Sequence, residues 1–257
     1  AVAPFTHGYW PITWLSRVAL RSADLTIVTN SALATQVEAI GGRPLVLPDR
    51  LPAAPFAPHP VARRQGPLQI MVVATYAADE PIAEIIEAAR QLGSDFEFRI
   101  TGRETKLPAE QRQRLPANVR QTGFLSEQDY WQLMNDSHVM LDLTLKPNCL
   151  VCGAYEALAL MRPMILSGNA ATIDLFGKVA LFPATHSASD IAASIREMGA
   201  RLEEVAAAAA EEGPRFARRW VEHATALKTT LSEWSSPAGE LARGAGKSGS
   251  AAAGRPN

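Results

Sequence analysis

Residues 139–167, VMLDLTLKPNCLVCGAYEALALMRPMILS, constrain this chain more than any other stretch. Val139, Met140, Leu141 and Leu143 form a short apolar run of the kind buried on both faces in a parallel sheet. Lys146, Pro147 and Asn148 end the run, and Gly153 lets a helix begin close to the strand end. Tyr155, Leu158, Ala159 and Arg162 recur at helical spacing until Pro163, and Met164, Ile165 and Leu166 form the next strand. A helix that starts at the carboxyl end of a parallel strand offers free N–H groups and a positive dipole end to an anion. Glu156 sits one turn inside that helix. A carboxylate there repels phosphate but accepts hydrogen bonds from a neutral diol such as a ribose.

The same alternation runs through residues 68–186. Strands are expected at 68–74, 96–101, 119–122, 138–143, 164–166 and 179–182. Helices are expected at 81–92, 110–115, 126–135, from 153, and at 172–176. Ser126 with Asp129 predicts a capped start for the third strand's following helix. Residues 1–49 read as the last part of a Rossmann-like domain: a strand ending near Thr6, His7 and Gly8, a helix over 10–21, a strand over 24–30, a helix capped by Ser31, and a strand over 45–47. Residues 50–67, RLPAAPFAPHPVARRQGP, are Pro-dense and without period, which predicts an extended linker with His59 solvated. Residues 187–235 are expected to be helical, with Ser189-Asp190 as a cap and Gly213-Pro214 as a break. Residues 236–257 are rich in Gly, Ala and Ser, the composition of a disordered tail. The fold class is therefore α/β, a Rossmann-like parallel sheet with flanking helices and an incomplete first lobe.

The chain has 257 residues, is 47% hydrophobic and carries a net charge of −1. That balance argues against a nucleic-acid partner. No apolar run has the length of a membrane span, which leaves peripheral membrane contact as the one membrane association expected, and no signal-peptide pattern opens the chain. The expected location is cytoplasmic. The opening AVAPFTHGYW has no Met and lies in mid-pattern, so the chain is expected to be a piece of a longer protein. Cys149 and Cys152 are the two cysteines. Their C-x-x-C spacing suits a redox motif or half a zinc site, but no second Cys or His pair completes a zinc site, so structural thiols are the expectation. Near a helix N-terminus, Cys152 would have a lowered pKa.

Gly153-Ala-Tyr-Glu-Ala-Leu-Ala159, Pro163 shortly after, and an apolar strand ending in Ser167 resemble the donor-binding segment of retaining glycosyltransferases of the family-4 type, which have the GT-B fold. The resemblance implies a nucleotide diphosphate at the Gly153 turn and helix N-terminus, with Glu156 on the ribose. The family's earlier Glu, eight positions upstream and near the transferred sugar, is Asn148 here. The family also places an Arg and a Lys in the first strand–helix loop. Here that loop, Thr75-Tyr-Ala-Ala-Asp-Glu-Pro81, is acidic and has neither. Arg103 and Lys106 in the neighbouring loop are candidates to replace them, because leaving-group charge needs a cation or a dipole, and each is equally a surface charge; Lys146 is a further candidate, though a lone loop Lys is more often simply solvated. Phe124 and Leu125 are placed to flank a nucleobase. Ser167, Gly168 and Asn169 are placed to hydrogen-bond phosphate or sugar. The catalytic residue is unassigned, with His7 as the one candidate. His138 reads as structural, and His186 and His223 show no partner.

The resemblance further implies residues 1–49 as the remnant of an acceptor lobe, 50–67 as the inter-lobe hinge, 68–186 as the donor lobe, and a C-terminal helix crossing back to the first lobe. The expected activity is sugar transfer from a nucleotide-sugar donor to a glycan, lipid or small-molecule acceptor, with no cofactor and no metal, since no Asp-x-Asp pair is visible. Two other classes stay open: a non-catalytic GT-B-like binding or scaffold protein, motivated by Asn148 and the missing loop bases, and a sugar-nucleotide epimerase. Transfer needs both lobes, so this piece alone can be inactive.

Overall fold

Buried apolar runs alternating with amphipathic helices have one economical outcome, a parallel sheet covered on both faces. The computed structural model describes residues 10–61 and 65–234. Its main sheet contains β3 (Leu68–Val72), β4 (Phe96–Thr101), β5 (Val119–Gly123), β6 (Val139–Asp142), β7 (Met164–Leu166) and β8 (Ala180–Leu181). Every pairing is parallel, in the order β5-β4-β3-β6-β7-β8. The first strand of the run is thus central. The chain winds outward from it to one edge, returns to its other side and winds to the opposite edge. At β3 the winding reverses: Ile70 lies beside Phe98 on one side and Val139 on the other. A reversal of this kind leaves a crevice at the carboxyl ends of the two strands that flank it.

Side-chain alternation assigns the faces. Ile70 and Val72 join α3 (Ile82–Leu92) and α8 (Ala188–Ala200) in a core with Ile85, Phe98, Ile191 and Ile195. Met71 and Met140 face the other way, into a core with α5 (Glu127–Asp136), α6 (Cys152–Ala159) and α7 (Ala170–Phe176). There Tyr155 meets Phe176 edge-on at 5.2 Å between centroids, and Phe216 of α9 (Leu202–Trp234) stacks on Phe176 at 6.3 Å. α4 (Ala109–Gln113) is a short helix between β4 and β5.

Ahead of the sheet lie α1 (Trp10–Ser22), β1 (Thr26–Val28), α2 (Ser31–Ala39) and β2 (Pro44–Val46). β1 and β2 form a separate parallel pair. Ser31 Oγ donates to Asp174 Oδ2 of α7 at 3.3 Å. Two compact units are distinguished, residues 1–216 and 217–257; in the second, 217–234 continue α9 as a helix. The strand end expected at Thr6 to Gly8, the candidate His7 and the tail from 236 lie outside the described residues.

Several expectations need correction. Asn30, not Ser31, caps α2, its Oδ1 accepting from Leu33 N at 3.0 Å. Ser187, not Ser189, caps α8 by accepting from Asp190 N. α6 stops at Ala159, short of Arg162, because Met161 takes a left-handed φ of 55°. Gly213-Pro214 does not break the last helix. Pro214 forfeits one backbone bond, but a Cβ on Gly213 would come within 3.0 Å of the Leu158 carbonyl, and Phe216 two residues on is buried. Close packing outweighs propensity here.

Part of the stretch read as a free linker is instead built into the second core. Leu51, Ala54 and Phe56 pack against it. His59 is held through its backbone and its ring: its N–H donates to Asn135 Oδ1 at 2.9 Å, its carbonyl accepts from Arg162 Nη2, and Nδ1 lies 3.3 Å from Asp136. Buried Arg162 also donates to the carbonyls of Leu160 and Ser137. Removing it strands several buried acceptors. Arg162→Ala should therefore lower unfolding stability by ~3 kcal/mol or more in urea melts, given 1.5–3 kcal/mol per charge-assisted bond. A loss under ~1 kcal/mol would mean the clamp carries little.

Candidate functional site

Because all six strands run parallel, every loop at their carboxyl ends gathers at one rim. The loop after β3 is shaped by Glu80, which accepts from Thr75 N, from Thr75 Oγ1 at 2.6 Å and from Ala77 N. It approaches the next loop so closely that a Cβ on Gly102, already at a φ of +94°, would sit 2.2 Å from the Ala74 carbonyl oxygen. Only glycine fits there. Asp79 ties the same loop to the one after β6. Its Oδ2 accepts from Thr144 Oγ1 at 2.7 Å, its Oδ1 lies 3.2 Å from Lys146 Nζ, and its carbonyl accepts from Leu145 N. The Thr144 bond, helped by Lys146, holds the Asp79 carboxyl below its ordinary value.

At the end of β6, Asp142 is buried against the first turn of α6. A Cβ on Gly153 would lie 2.4 Å from Asp142 Oδ2, so only glycine lets strand and helix meet. The backbone at Gly153, packed against this carboxyl, opposes the other influences on it. Burial first, then the charges of Glu80 and Glu156, push the Asp142 pKa up to about 8. Asn148, in the loop between, takes a left-handed φ of 52°, a conformation that Asn tolerates better than most residues.

Glu156 stands one turn inside α6, and the Tyr130 hydroxyl of α5 donates to its Oε2 at 2.6 Å. Burial, then the Glu156 charge, raises the Tyr130 pKa and keeps that proton on the phenol. Ser167 is buried at the end of β7 and its hydroxyl is committed: Oγ accepts from Thr144 N at 2.8 Å and lies 2.8 Å from His186 Nε2. His186, expected to be without a partner, therefore braces the loop after β6. Asn169 caps α7 and its Nδ2 donates to the Cys149 carbonyl at 3.3 Å.

Arg103 and Lys106 follow β4. Arg103 lies 5.8 Å from the centroid of the exposed Phe124 ring, and Lys106 Nζ donates to the Thr75 carbonyl at 2.7 Å. His138 is buried, its Nδ1 accepting from Gln69 N, in keeping with a structural role. Both cysteines are free. The thiol of Cys152 is raised, not lowered, first by burial and then by the charge of Glu156. Burial raises Cys149 as well. Among the described residues no three His, Cys, Asp or Glu side chains are grouped to hold a metal ion.

The rim thus brings together Glu156, Gly153, Asn148, Lys146 and Ser167 on the loops after β6 and β7, and Arg103, Lys106 and Phe124 on the loops after β4 and β5. Sequence reasoning missed Asp142, Tyr130, Asp79, Glu80 and His186. Asp142 left a readable signal, an ionisable residue inside a strand otherwise buried throughout. Tyr130, Asp79 and His186 are linked through partners distant in sequence, and Glu80 through its own loop.

A doubly wound parallel sheet with a switch point belongs to the Rossmann-like class of folds. Within that class the chain belongs to the glycosyl transferase-like family, whose model matches residues 79–228. No curated protein sequence matches it. Solved structures of GT-B glycosyltransferases share its fold. Sucrose-phosphate synthase from Thermosynechococcus elongatus superposes with a TM-score of 0.71 at 13% identity, over 90% of this chain and 64% of that one. HepE from Anabaena, solved in complex with UDP and glucose, gives 0.67 at 17% identity, over 88% and 68%. A glycosyltransferase from Rickettsia africae gives 0.66 at 12%, over 85% and 65%. The chain therefore spans about two-thirds of the length of these structures. Among its described residues no helix is long and apolar enough to cross a membrane.

The Asp142 environment has a consequence for stability. Its folded pKa is raised above the ordinary 3.8, so the folded state holds the proton more tightly than the unfolded chain. This contribution is fully present below about pH 4 and is lost as pH rises through the folded value near 8. Asp142→Asn should therefore gain on the parent as pH rises from 5 to 9, by upward of ~1.4 kcal/mol, the equivalent of one pKa unit. Denaturant melts at the two pH values measure it, and a pH-independent difference would contradict the assignment.

Proposed function

We propose that this chain is the donor-binding part of a retaining, family-4-type glycosyltransferase, and that residues 68–186 hold a nucleoside diphosphate sugar across the β3/β6 switch point. The observation that carries the reading is Glu156, presented one turn into the helix whose head abuts the end of β6. A carboxylate at that depth suits a ribose diol, and the N–H groups ahead of it suit phosphate oxygens. Lys106 and Lys146 flank the crevice and supply positive charge that the loop after β3 lacks. Phe124, exposed and covered by Arg103, offers a face for a base. That HepE has been solved with UDP, with UDP-glucose and with UDP and glucose supports a uridine nucleotide as the first ligand to try. The acceptor would bind against a first lobe of which residues 10–49 represent a part. Transfer is proposed to proceed without a metal, by helix dipole and bases.

A second reading, a binding protein of the same fold without turnover, is favoured by one observation: Asp142 already abuts the head of α6, its Oδ2 lying where a Cβ on Gly153 would come within 2.4 Å. Donor hydrolysis supports the transferase, whereas binding without turnover supports the alternative.

Glu156→Gln should weaken UDP binding by about tenfold or more, since a charge-assisted bond is worth roughly 1.5–3 kcal/mol. Pyrophosphate, which lacks ribose, should bind the variant as well as the parent. Equal UDP affinity in the two proteins, or an equal loss for pyrophosphate, would remove Glu156 from the ribose site. Saturating UDP at ~100 times Kd should also stabilise the protein by ~2.7 kcal/mol. Changing Cys149 and Cys152 together to Ser should leave UDP affinity within about twofold, as structural thiols require, a change under ~0.4 kcal/mol; stoichiometric zinc lost in that variant would overturn the metal-free proposal.

A further inference from the structure

Glu156 does not stand alone in the crevice. One of its two oxygens, Oε2, is already capped by the Tyr130 hydroxyl at 2.6 Å. A short bond of this kind between a hydroxyl and a carboxylate is among the stronger ones available to side chains. The phenol keeps its proton, held by burial and by the negative charge of Glu156 beside it. Tyr130 therefore always donates, and Oε2 always receives.

The post that carries Tyr130 is rigid. α5 is capped at its head by Ser126, whose Oγ accepts from Asp129 N at 3.1 Å and donates to Asp129 Oδ2 at 2.7 Å. Trp131, Leu133 and Met134 are buried beneath the helix, and Ser137 closes its other end by donating to the Leu133 carbonyl. The head of this helix follows directly on Phe124 and Leu125. One short element thus carries both the exposed Phe124 ring and the hydroxyl that orients Glu156.

A carboxylate free to turn about its terminal bond offers either oxygen at a range of angles. One pinned at Oε2 presents Oε1 in a single orientation, with the carboxylate plane fixed. Oε2 keeps one lone pair beside the Tyr130 bond and Oε1 keeps both, so a carboxylate with its plane fixed can accept from two vicinal hydroxyls, one on each oxygen. We infer that Tyr130 is a positioning residue that fixes Glu156 for a ribose diol and thereby sets the preference for ribo- over 2′-deoxyribonucleoside diphosphates. The inference rests on the reading of Glu156 as the ribose ligand.

Calorimetric titrations of UDP, 2′-deoxy-UDP and pyrophosphate test it, with the parent chain, Tyr130→Phe, Glu156→Gln and the double variant. The parent should prefer UDP to 2′-deoxy-UDP by about tenfold, the value of one charge-assisted bond. Tyr130→Phe keeps the ring and its packing, and should cut that preference to about threefold or less while leaving pyrophosphate affinity unchanged. The double variant should be no worse than Glu156→Gln, because the two residues act as one unit. A purely structural tyrosine would lower all three affinities together and leave the preference intact, which would overturn the inference. If Glu156→Gln loses the preference while Tyr130→Phe keeps it, the positioning role fails and the ribose reading stands. If the parent binds the two nucleotides alike, or Glu156→Gln keeps the preference, the ribose reading fails and takes this inference with it.

Discussion

The parallel pairing of β3 with β6 is the contact on which the rest depends. Ile70, Met71 and Val72 lie beside Val139, Met140 and Leu141, all at or near zero exposure. Strands separated by so much intervening chain pair only if the intervening β4 and β5 units fold outward on the far side of β3. That one adjacency reverses the winding and opens the crevice between the loops that follow β3 and β6. It also dictates Gly153: with Asp142 at the end of β6, the helix that returns the chain to β7 can start only where no Cβ intrudes.

The chemistry of the crevice follows from a mismatch. A diphosphate site needs positive charge, yet Asp142, Glu80 and Glu156 share the innermost part, with Asp79 just outside. The protein offsets this in two ways. Buried Asp142 keeps its proton up to about pH 8, which removes one charge. Lys146 and Lys106 are anchored on Asp79 and the Thr75 carbonyl, so that both cations are held at the rim without a base in the loop after β3. Ser167, whose hydroxyl bridges Thr144 and His186, serves this framework by fixing the backbone after β6.

Much of the sheet was legible because strands such as Met164–Leu166 are apolar throughout, Phe96–Thr101 alternates, and Gly or Pro stands at their ends. The run from 139 to 167 alone showed strand, loop, helix and strand, and Phe96–Thr101 emerged with its bounds as read. What stayed hidden depends on partners distant in sequence. Pro214 looked like a stop because local propensity says so, but Phe216 needed the helix to continue into the core beside Tyr155. His59 looked solvated among prolines, since nothing nearby in sequence announces Arg162, a hundred residues on. The cap of α8 was misplaced by two residues because Ser187 and Ser189 are chemically alike, and only the backbone chooses between them. In the site, Glu156 was readable from its place on the helix. Its partner Tyr130 was not, because α5 and α6 are joined by no pattern, only by the core they share on one face of the sheet.

Hydrogen exchange read by mass spectrometry, with and without saturating UDP, tests the central claim most directly, because it reports where a nucleotide sits without requiring turnover. The account predicts slowed exchange in residues 73–81 and 143–156, the loops at the carboxyl ends of β3 and β6, with lesser protection at 123–126. Protection confined to the opposite end of the sheet, around the cavity of about 600 Å³ lined by Gly66, Ser94, His138 and Gly199, or no protection at millimolar UDP, GDP or ADP, would contradict it.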